Sequence, residues 1–502
     1  MKKSNFEFIK EYYPLLVSIT ILLVISVFHL VKDDLLIDES SSLLTSELSL
    51  NKVLHRALFW EEQAPLYYLV LAIWRLVSAH YIFARLLSLI FMLGSFLFMF
   101  RIFKKYESSQ VLTTLMLILV AVNFNIVYAA VNIRYYSFTI LLSVFLLYIF
   151  LNHYLNQQPA RLSIRILFSI IAIVAISSQY FIGFLLLALG FTVFVKLGFK
   201  RFLHYCLDML PAIFVVFVLL TSILHQMGTY EFLQGDDRSI FTLAKYLFFR
   251  FSSYVISFHF LFEINWFKYG MSAIFFSLIV YCFRFYKRIH PDAKYILLIV
   301  SVVYLCISVV YYRYGDTVIL PYHTLTLLFP TVLLTYFIIK LLSFKLQIVI
   351  VVLLILMNMP TEIIYALKPK TISELNQYLT KNENEDESIF VFPTEYKHLI
   401  NYHYTGKNEL IGVPFQIDYN KGYRINQWAI RDCKQLDSLF TIYQNEASTS
   451  FYVIKEKNYF NYNFDYHVDS LYYYLKNNYK IEQDTFLKGY LVQKYSTIKM
   501  SK

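Results

Sequence analysis

Residues 82–103 read IFARLLSLIFMLGSFLFMFRIF, an apolar run long enough to cross a lipid bilayer as a helix. Arg85 lies near the start of this run, and a basic cluster of Arg101, Lys104 and Lys105 lies at its end. Because cytoplasmic loops of membrane proteins are enriched in Lys and Arg, the cluster predicts that this end faces the cytoplasm. Arg85 is then expected at the outer face of the membrane.

Comparable apolar runs recur along the first 365 residues. The chain of 502 residues is 58% hydrophobic and only 16% charged, which is more apolar than a water-soluble protein of this size requires. The net charge of +11 is spread in short clusters between apolar runs, a distribution typical of cytoplasmic loops and unlike a nucleic-acid-binding patch. The sequence predicts about eleven spans, near 13–31, 82–103, 111–130, 136–154, 163–182, 181–198, 205–224, 271–286, 295–312, 324–342 and 346–364.

The stretch from Pro65 to Val77 is apolar but short, at about 13 residues against the roughly 20 that a spanning helix needs. If it lies on the outer surface and the N-terminus is cytoplasmic, the basic clusters between the later spans all face the cytoplasm. This arrangement predicts two long outer loops, 32–81 and 225–270. The second is rich in aromatic residues, as is common at the membrane interface.

Residues 366–502 are much more polar, and helical and strand-like segments alternate along them. The sequence predicts helices near 371–379, 395–404, 431–444 and 470–478, and strands near 388–392, 410–413, 451–454 and 487–495. This pattern predicts a small α/β domain with a largely parallel sheet, following a transmembrane domain of residues 1–365. An odd number of spans places the domain outside the cytoplasm. Few Gly and Pro with many Lys, Asn, Ile, Tyr and Phe suit a bacterial chain, so the expected location is the bacterial inner membrane.

Acidic residues in the first outer loop are the first candidates for chemistry. Asp38 and Glu39 follow the first span directly, and Glu62 lies ahead of the short apolar stretch. Ionisable groups this close to the membrane are functional candidates, and such carboxylates can act as a general base or bind a divalent cation. The alternative is that they are ordinary solvated loop acids.

Several polar residues are predicted at the same outer face. Arg85 and Arg134 begin two spans there, Tyr135 follows Arg134, Gln179 lies in a turn, and His323 precedes another span. A guanidinium group suits a phosphate because it stays charged and donates bidentately. A lone arginine at this depth is also compatible with a structural role, its head group reaching the interface.

The order of these motifs resembles the GT-C glycosyltransferase superfamily, specifically the glycosyltransferase family 39-like branch that includes protein O-mannosyltransferases and the lipid A aminoarabinose transferase. The matching features extend over roughly residues 10–360, in a chain with many apolar spans. They are Asp38-Glu39, Glu62-x-x-Pro65-Leu66, Ala84-Arg85-Leu86-x-Ser88, Arg134-Tyr135 and Gln179-Tyr180-Phe181.

The resemblance implies a helical bundle with a catalytic first outer loop that transfers sugars from polyprenyl-phosphate donors with inversion. The acceptor would be a hydroxyl of a lipid, glycan or protein. By the resemblance, Asp38 is the catalytic base and Glu39 supports acceptor or metal binding. Glu62 completes the acidic site, and Arg85 and Arg134 hold the donor phosphate. The remaining pocket members implied are Tyr135, Gln179 and His323.

Three positions depart from the family pattern. Ala64 stands where many relatives have a second proline, Gln179 where they have histidine, and Pro321-Tyr322-His323 where they have Pro-Arg-Tyr. The departures weaken the expectation of a divalent metal ion and of the usual contacts to the donor head group.

Two other functions use similar residues. An O-antigen ligase or polymerase would act on diphosphate-linked oligosaccharides, and a transporter or flippase would move a lipid-linked glycan. A transporter is expected to carry polar groups near mid-membrane and repeated halves. Here the spans are nearly free of charge and no repeat is visible, so the enzyme is favoured.

Overall fold

The computed structural model describes residues 5–32, 34–61, 63–231, 239–257, 286–314, 321–367, 371–415, 430–443, 450–456 and 467–497, with isolated positions at 270, 273, 277 and 280. Two compact units are present. The helical unit comprises Met1–Val31 and Gln63–Lys368, and the loop–tail unit comprises Lys32–Glu62 and Pro369–Lys502. The structure therefore groups the first half of the expected outer loop 32–81 with the C-terminal domain, whereas the sequence division at residue 365 left it with the spans.

Helices account for nearly all regular structure up to residue 367. In chain order they are α1 (Asn5–Lys32), α2 (Ile37–Ser46), α3 (Leu50–Phe59), α4 (Leu66–Arg75), α5 (Tyr81–Tyr106), α6 (Gln110–Ala121), α7 (Phe124–Val131), α8 (Tyr136–Ile149), α9 (Leu162–Ser178), α10 (Ile182–Leu197), α11 (Phe199–Glu231), α12 (Ile240–Ser253), α13 (Pro291–Tyr314), α14 (Leu328–Ile339) and α15 (Phe344–Leu367). Helices α2 and α3 belong to the loop–tail unit.

Five of the described helices are long and apolar enough to cross a membrane. They include segments of α1, α5, α11 and α13, and α8 with the π-helical turn that extends it to Tyr154. Phe214, Phe217 and Val218 on α11 leave more than 60% of their surface exposed, as lipid-facing side chains do. The chain is a multi-pass membrane protein.

Several of the remaining predicted spans correspond to shorter or broken helices, among them α9 and α10. The run 111–130 forms two helices, α6 and α7, with a 61° bend between them. Asn123 causes the break, because its side chain accepts a hydrogen bond from the Asn125 amide and starts α7. The run near 271–286 lies almost entirely outside the described residues, as does part of the expected loop 225–270.

The stretch from Pro65 to Val77 forms only the ten-residue helix α4, which is too short to cross a bilayer. Its Trp74 ring stacks on Phe83 at 4.7 Å, and the indole nitrogen donates to the Phe83 carbonyl at 2.8 Å. The contact fixes α4 to the first turn of α5. The start of α5 carries Arg85, so α4 helps to position that residue.

Aromatic stacking joins α5 to α8 along much of their length. Phe91 stacks on Phe138 at 4.4 Å, and Phe98 stacks on Phe145 at 4.2 Å between ring centroids. Stacked aromatic pairs stabilise a fold by more than the burial of their apolar surface alone would. The two helices present Arg85 and the Arg134 segment at the same end of the bundle.

The described C-terminal part of the loop–tail unit contains a five-stranded sheet and four helices. The helices are α16 (Thr371–Asn382), α17 (Tyr396–Asn401), α18 (Cys433–Tyr443) and α19 (Val468–Asn478), and the strands are β1 (Ile389–Phe392), β2 (Leu410–Gly412), β3 (Ser450–Glu456), β4 (Tyr479–Leu487) and β5 (Tyr490–Thr497). The strand order is β2-β1-β3-β5-β4. A core that includes Phe390, Phe440 and Phe451 lies beside the sheet.

The α/β domain expected from the sequence is confirmed, and its sheet is mixed. Strand β1 pairs in parallel with β2 and β3, while β5 pairs antiparallel with β3 and β4. The sequence pattern missed β4 because charged and polar residues alternate little with apolar ones along Tyr479–Leu487. The expectation of a largely parallel sheet is therefore right for half of the strand pairs.

Candidate active site

The acidic pair after the first span lies in the first turn of helix α2. Glu39 is fully buried, and its carboxylate accepts a hydrogen bond from the Leu36 amide at 3.0 Å. This contact satisfies an amide that the helix itself leaves without a partner. Glu39 therefore stabilises the start of α2, while the side chain of Asp38 is only half-buried.

Glu395 of the loop–tail unit lies within electrostatic range of two other carboxyl groups, Asp38 and Glu456. Glu395 directly precedes α17, and Glu456 is the last residue of β3. Burial raises the pKa of the Glu395 carboxyl to about 8, and the negative charges of Asp38 and Glu456 act in the same direction. At neutral pH Glu395 is therefore largely a neutral acid.

Several contacts hold the loop 34–61 to the tail. The Ile372 amide donates to the Asp34 carboxylate at 3.0 Å, and the Tyr402 hydroxyl donates to Glu47 at 2.6 Å. Helix α2 also packs on α17. The segment that carries Asp38 is thus folded against the α/β domain.

In the helical unit, Arg85 lies in the first turn of α5 and is 2% exposed. Its guanidinium donates to the Leu30 carbonyl at 3.4 Å and lies 5.4 Å from the centre of the Tyr81 ring. One turn along α5, the Ser88 hydroxyl donates to the Asn132 carbonyl at 2.5 Å. Ser88 therefore ties the Arg85 helix to the segment that carries Arg134.

Arg134 lies between α7 and α8 and is 8% exposed. Its guanidinium donates to the Tyr68 hydroxyl of α4 at 3.3 Å and lies 5.8 Å from the centre of the Tyr135 ring. Tyr135 is itself buried and contacts Tyr136 edge-on. Both arginines thus lie among aromatic rings, which favour a guanidinium ion.

Gln179 and His323 are buried at two neighbouring segments of the helical unit. Gln179 ends α9, and Phe181, two residues later, stacks on the His323 ring at 4.6 Å with nearly parallel planes. The buried amide nitrogen of Gln179 has no hydrogen-bond partner among the described residues. An unsatisfied buried donor of this kind is typical of a site that a polar ligand or water completes.

The structure leaves some site predictions untested. Glu62 lies outside the described residues. Among the residues that are described, no group of three or more His, Cys, Asp or Glu side chains is arranged to hold a metal ion.

Sequence reasoning missed the contributions of Glu395, Glu456 and Tyr68. The position of Glu395, three residues after a buried strand, could have pointed to it, since functional groups collect at the carboxyl ends of parallel strands.

The apolar helices define a multi-pass membrane protein, and a small α/β domain follows them in the chain. The chain is similar in structure to ArnT, an aminoarabinose transferase, from Cupriavidus metallidurans. The apo form aligns with a TM-score of 0.60 at 10% sequence identity, covering 96% of this chain and 97% of ArnT. The form bound to undecaprenyl phosphate aligns with a TM-score of 0.53 at 12% identity, covering 96% and 98%.

An oligosaccharyltransferase from Archaeoglobus fulgidus gives a TM-score of 0.44 at 10% identity, covering 98% of this chain and 75% of its own. No protein-family model matches the sequence, and no curated protein matches it. The likeness to ArnT confirms the fold expected from the motifs.

Proposed function

We propose that this protein is an inverting glycosyltransferase that moves a sugar from a polyprenyl-phosphate donor to an acceptor hydroxyl at the outer face of the membrane. The observation that carries the proposal is the pair of buried arginines, Arg85 and Arg134, in a fold shared with ArnT. ArnT binds undecaprenyl phosphate in one of its structures.

Arg85 and Arg134 are assigned to the donor phosphate. Transfer leaves a polyprenyl phosphate with increased negative charge, and prearranged cations stabilise that charge as it develops. Burial strengthens the effect, because charges interact more strongly where water is scarce. Tyr68 and Tyr135 orient the Arg134 guanidinium, so the cation need not be rearranged during the reaction.

Asp38 is assigned as the general base that removes the proton from the acceptor hydroxyl. Glu39 caps the start of α2, and the proton transfer is assigned to its half-buried neighbour Asp38. Attack of the deprotonated oxygen on the anomeric carbon breaks the bond to the phosphate in a single displacement. The configuration is inverted, and the proton remains on Asp38 until solvent removes it.

Gln179, His323 and Tyr135 are assigned to the donor pocket. The Gln179 amide can donate to a sugar or phosphate oxygen. Phe181 and His323 together form a flat stacked surface next to it. The donor is a polyprenyl-phosphate-linked sugar, and the acceptor is a lipid, glycan or protein hydroxyl.

The test is a transfer assay with purified protein in lipid vesicles. Polyprenyl-monophosphate hexoses and pentoses are offered beside diphosphate-linked oligosaccharides, and release of polyprenyl phosphate is measured by mass spectrometry. We expect turnover with monophosphate donors only. Turnover restricted to diphosphate donors would instead indicate a ligase or polymerase.

Helix α5 offers a matched pair of arginines for this assay. Arg85→Gln should lower kcat by about 10²–10³-fold, as expected for loss of a group that stabilises developing charge. Arg101→Gln is the control, since Arg101 is on the same helix about 24 Å further along its axis and donates to the Tyr12 hydroxyl. Equal effects of the two substitutions would contradict the assignment of Arg85.

A further inference from the structure

The parallel strands of the loop–tail unit bring two carboxyl groups to one edge of the sheet. Strands β1 and β3 are parallel neighbours, with Phe392 opposite Lys455. Glu395 follows the end of β1, and Glu456 ends β3. Because parallel neighbours run in the same direction, both glutamates lie near the same end of the sheet, Glu395 three residues beyond β1 and Glu456 at the last residue of β3.

The turn before Glu395 is held in place by Thr394. Its hydroxyl donates to the Phe415 carbonyl at 2.9 Å. Its side chain also fills the space that a Cβ atom on Gly412 would occupy, so only glycine allows β2 to approach this closely. The position of Glu395 is therefore fixed by the sheet and does not depend on a mobile loop.

Helix α2 brings Asp38 to the same place. Helix α2 packs on α17, which begins directly after Glu395, and the Tyr402 hydroxyl at the end of α17 donates to Glu47 just beyond α2. Glu395 consequently lies within electrostatic range of both Asp38 and Glu456.

We propose that Glu395 is a positioning residue for Asp38. Glu395 stabilises the first turn of α2 in the position from which Asp38 can accept the proton of the acceptor hydroxyl. The inference rests on the proposed role of Asp38. A protonated carboxyl group can donate a hydrogen bond to a neighbouring carboxylate, whereas an ionised one repels it. The polar tail is then required for catalysis, because it contributes Glu395.

The ionisation of Glu395 supplies a way to test this. Its pKa is raised to about 8, first by burial and then by Asp38 and Glu456. Above that pH the Glu395 carboxyl becomes negatively charged beside α2, which weakens the contact between α2 and α17.

The other titrating groups of the surrounding elements behave differently. Burial, with Lys397 and Arg56 nearby, lowers the pKa of His398 to about 4 despite the opposing charge of Glu47, so this residue is neutral throughout the alkaline range. Burial also lowers the pKa of Lys397 and raises that of Tyr490.

Lys455 is the competing explanation for an alkaline transition, because burial lowers its pKa to about 8. Its ammonium donates to Gln493 on β5 at 3.0 Å. Successive strand residues point to opposite faces of a sheet, so Lys455 lies on the face opposite Glu456. A Lys455→Gln variant separates the two groups.

The experiment measures kcat and KM for a polyprenyl-phosphate hexose from pH 6 to pH 9.5 in full-length wild type, E395Q, E395A and K455Q, with E385Q as an exposed-glutamate control. We expect wild type and K455Q to lose kcat above about pH 8. The kcat of E395A should be several-fold below that of wild type at pH 7. The kcat of E395Q should be close to the wild-type value at pH 7 and should not decline above pH 8. KM should stay nearly constant, because Glu395 is not assigned to the donor.

Hydrogen exchange of the α2 peptides provides a readout that needs no substrate. Exchange in wild type should accelerate relative to E395Q as the pH passes 8. Equal α2 exchange in both proteins at pH 9, or an alkaline decline that persists in E395Q, would overturn the proposal. If Asp38→Asn is fully active, Asp38 is not the general base. If hydrogen exchange of α2 still depends on the ionisation of Glu395 in that variant, Glu395 nevertheless stabilises the position of α2.

Discussion

Asp208, which is buried, and Glu395, which is half-buried, are carboxyl groups in opposite electrostatic surroundings. Asp208 in α11 of the helical unit accepts bonds from Arg165 at 2.7 Å and from the Tyr154 hydroxyl at 2.8 Å. Glu395 in the loop–tail unit lies beside Asp38 and Glu456, and its pKa rises to about 8. One acid is matched by a cation, and the other is placed among acids.

This difference is the one expected between a structural charge and the functional charge that we propose for Glu395. A buried carboxylate with an arginine partner joins two elements, here the start of α9 to α11. A group of like charges costs stability, and it persists in proteins mainly where chemistry requires it. On this argument, substitution of Asp208 should affect folding, and substitutions around Glu395 should affect turnover.

The largest expected effect comes from Asp38→Asn. Loss of a general base typically lowers the rate by about 10²–10⁴-fold, and the isosteric amide should leave α2 folded. The measurement is kcat with a polyprenyl-phosphate sugar, with helix content checked by circular dichroism. A D38N protein that keeps most of its turnover would remove Asp38 from the mechanism.

Asp208→Asn should act on stability. Hydrogen bonds to a charged group are worth about 1.5–3 kcal/mol each, so we expect a clear fall in melting temperature in detergent, with kcat per folded molecule unchanged. The control is Lys104→Gln, which removes the more exposed pair with Glu11. If Asp208→Asn lowers kcat as strongly as Asp38→Asn does, the structural role assigned to Asp208 is wrong.

The contribution of Glu395 to the stability of the loop–tail unit should decrease as the pH rises from about 4.5 to about 8, while His398, whose pKa is lowered to about 4, acts in the opposite direction at acidic pH. The unfolded state loses the Glu395 proton near pH 4.5, whereas the folded state keeps it until pH 8, so in this window protons favour the folded state. The opening constant of the unit should rise by at most about tenfold per pH unit and level off above pH 8. The measurement is hydrogen exchange of the α17 peptides in wild type and in E395Q at each pH, because the ratio of the two rates cancels the intrinsic exchange rate. We expect the ratio of the wild-type rate to the E395Q rate to rise with pH over this window.

The smallest effect is expected at the tail surface. Lys407 and Glu385 form an ion pair in which both side chains are largely exposed. Lys407→Gln should change the free energy of unfolding by less than about 0.5 kcal/mol, with no change in kcat. A larger decrease in the melting temperature would show that an exposed ion pair stabilises the loop–tail unit as much as the Asp208–Arg165 pair stabilises the helical unit.

Much of the fold was predictable because it depends on local patterns. Apolar runs gave the helices, and the helix–strand alternation after residue 366 gave α16, β1, α17 and most of the remaining tail. The break between α6 and α7 was missed, because an asparagine inside an apolar run does not by itself show that it will cap a new helix. Strand β4 was missed because its side chains are mostly exposed and carry little alternation.

The sequence by itself determined that this chain is a membrane protein with acids after its first span and arginines at the starts of later helices, since hydrophobicity and charge act locally and need no partner. Only the tertiary structure decided that Glu39 caps α2, that the first loop folds with the tail, and that Glu395 comes close to Asp38. Those outcomes depend on which distant surfaces pack together. Packing is set by the shape and polarity of whole faces, which no short stretch of sequence contains.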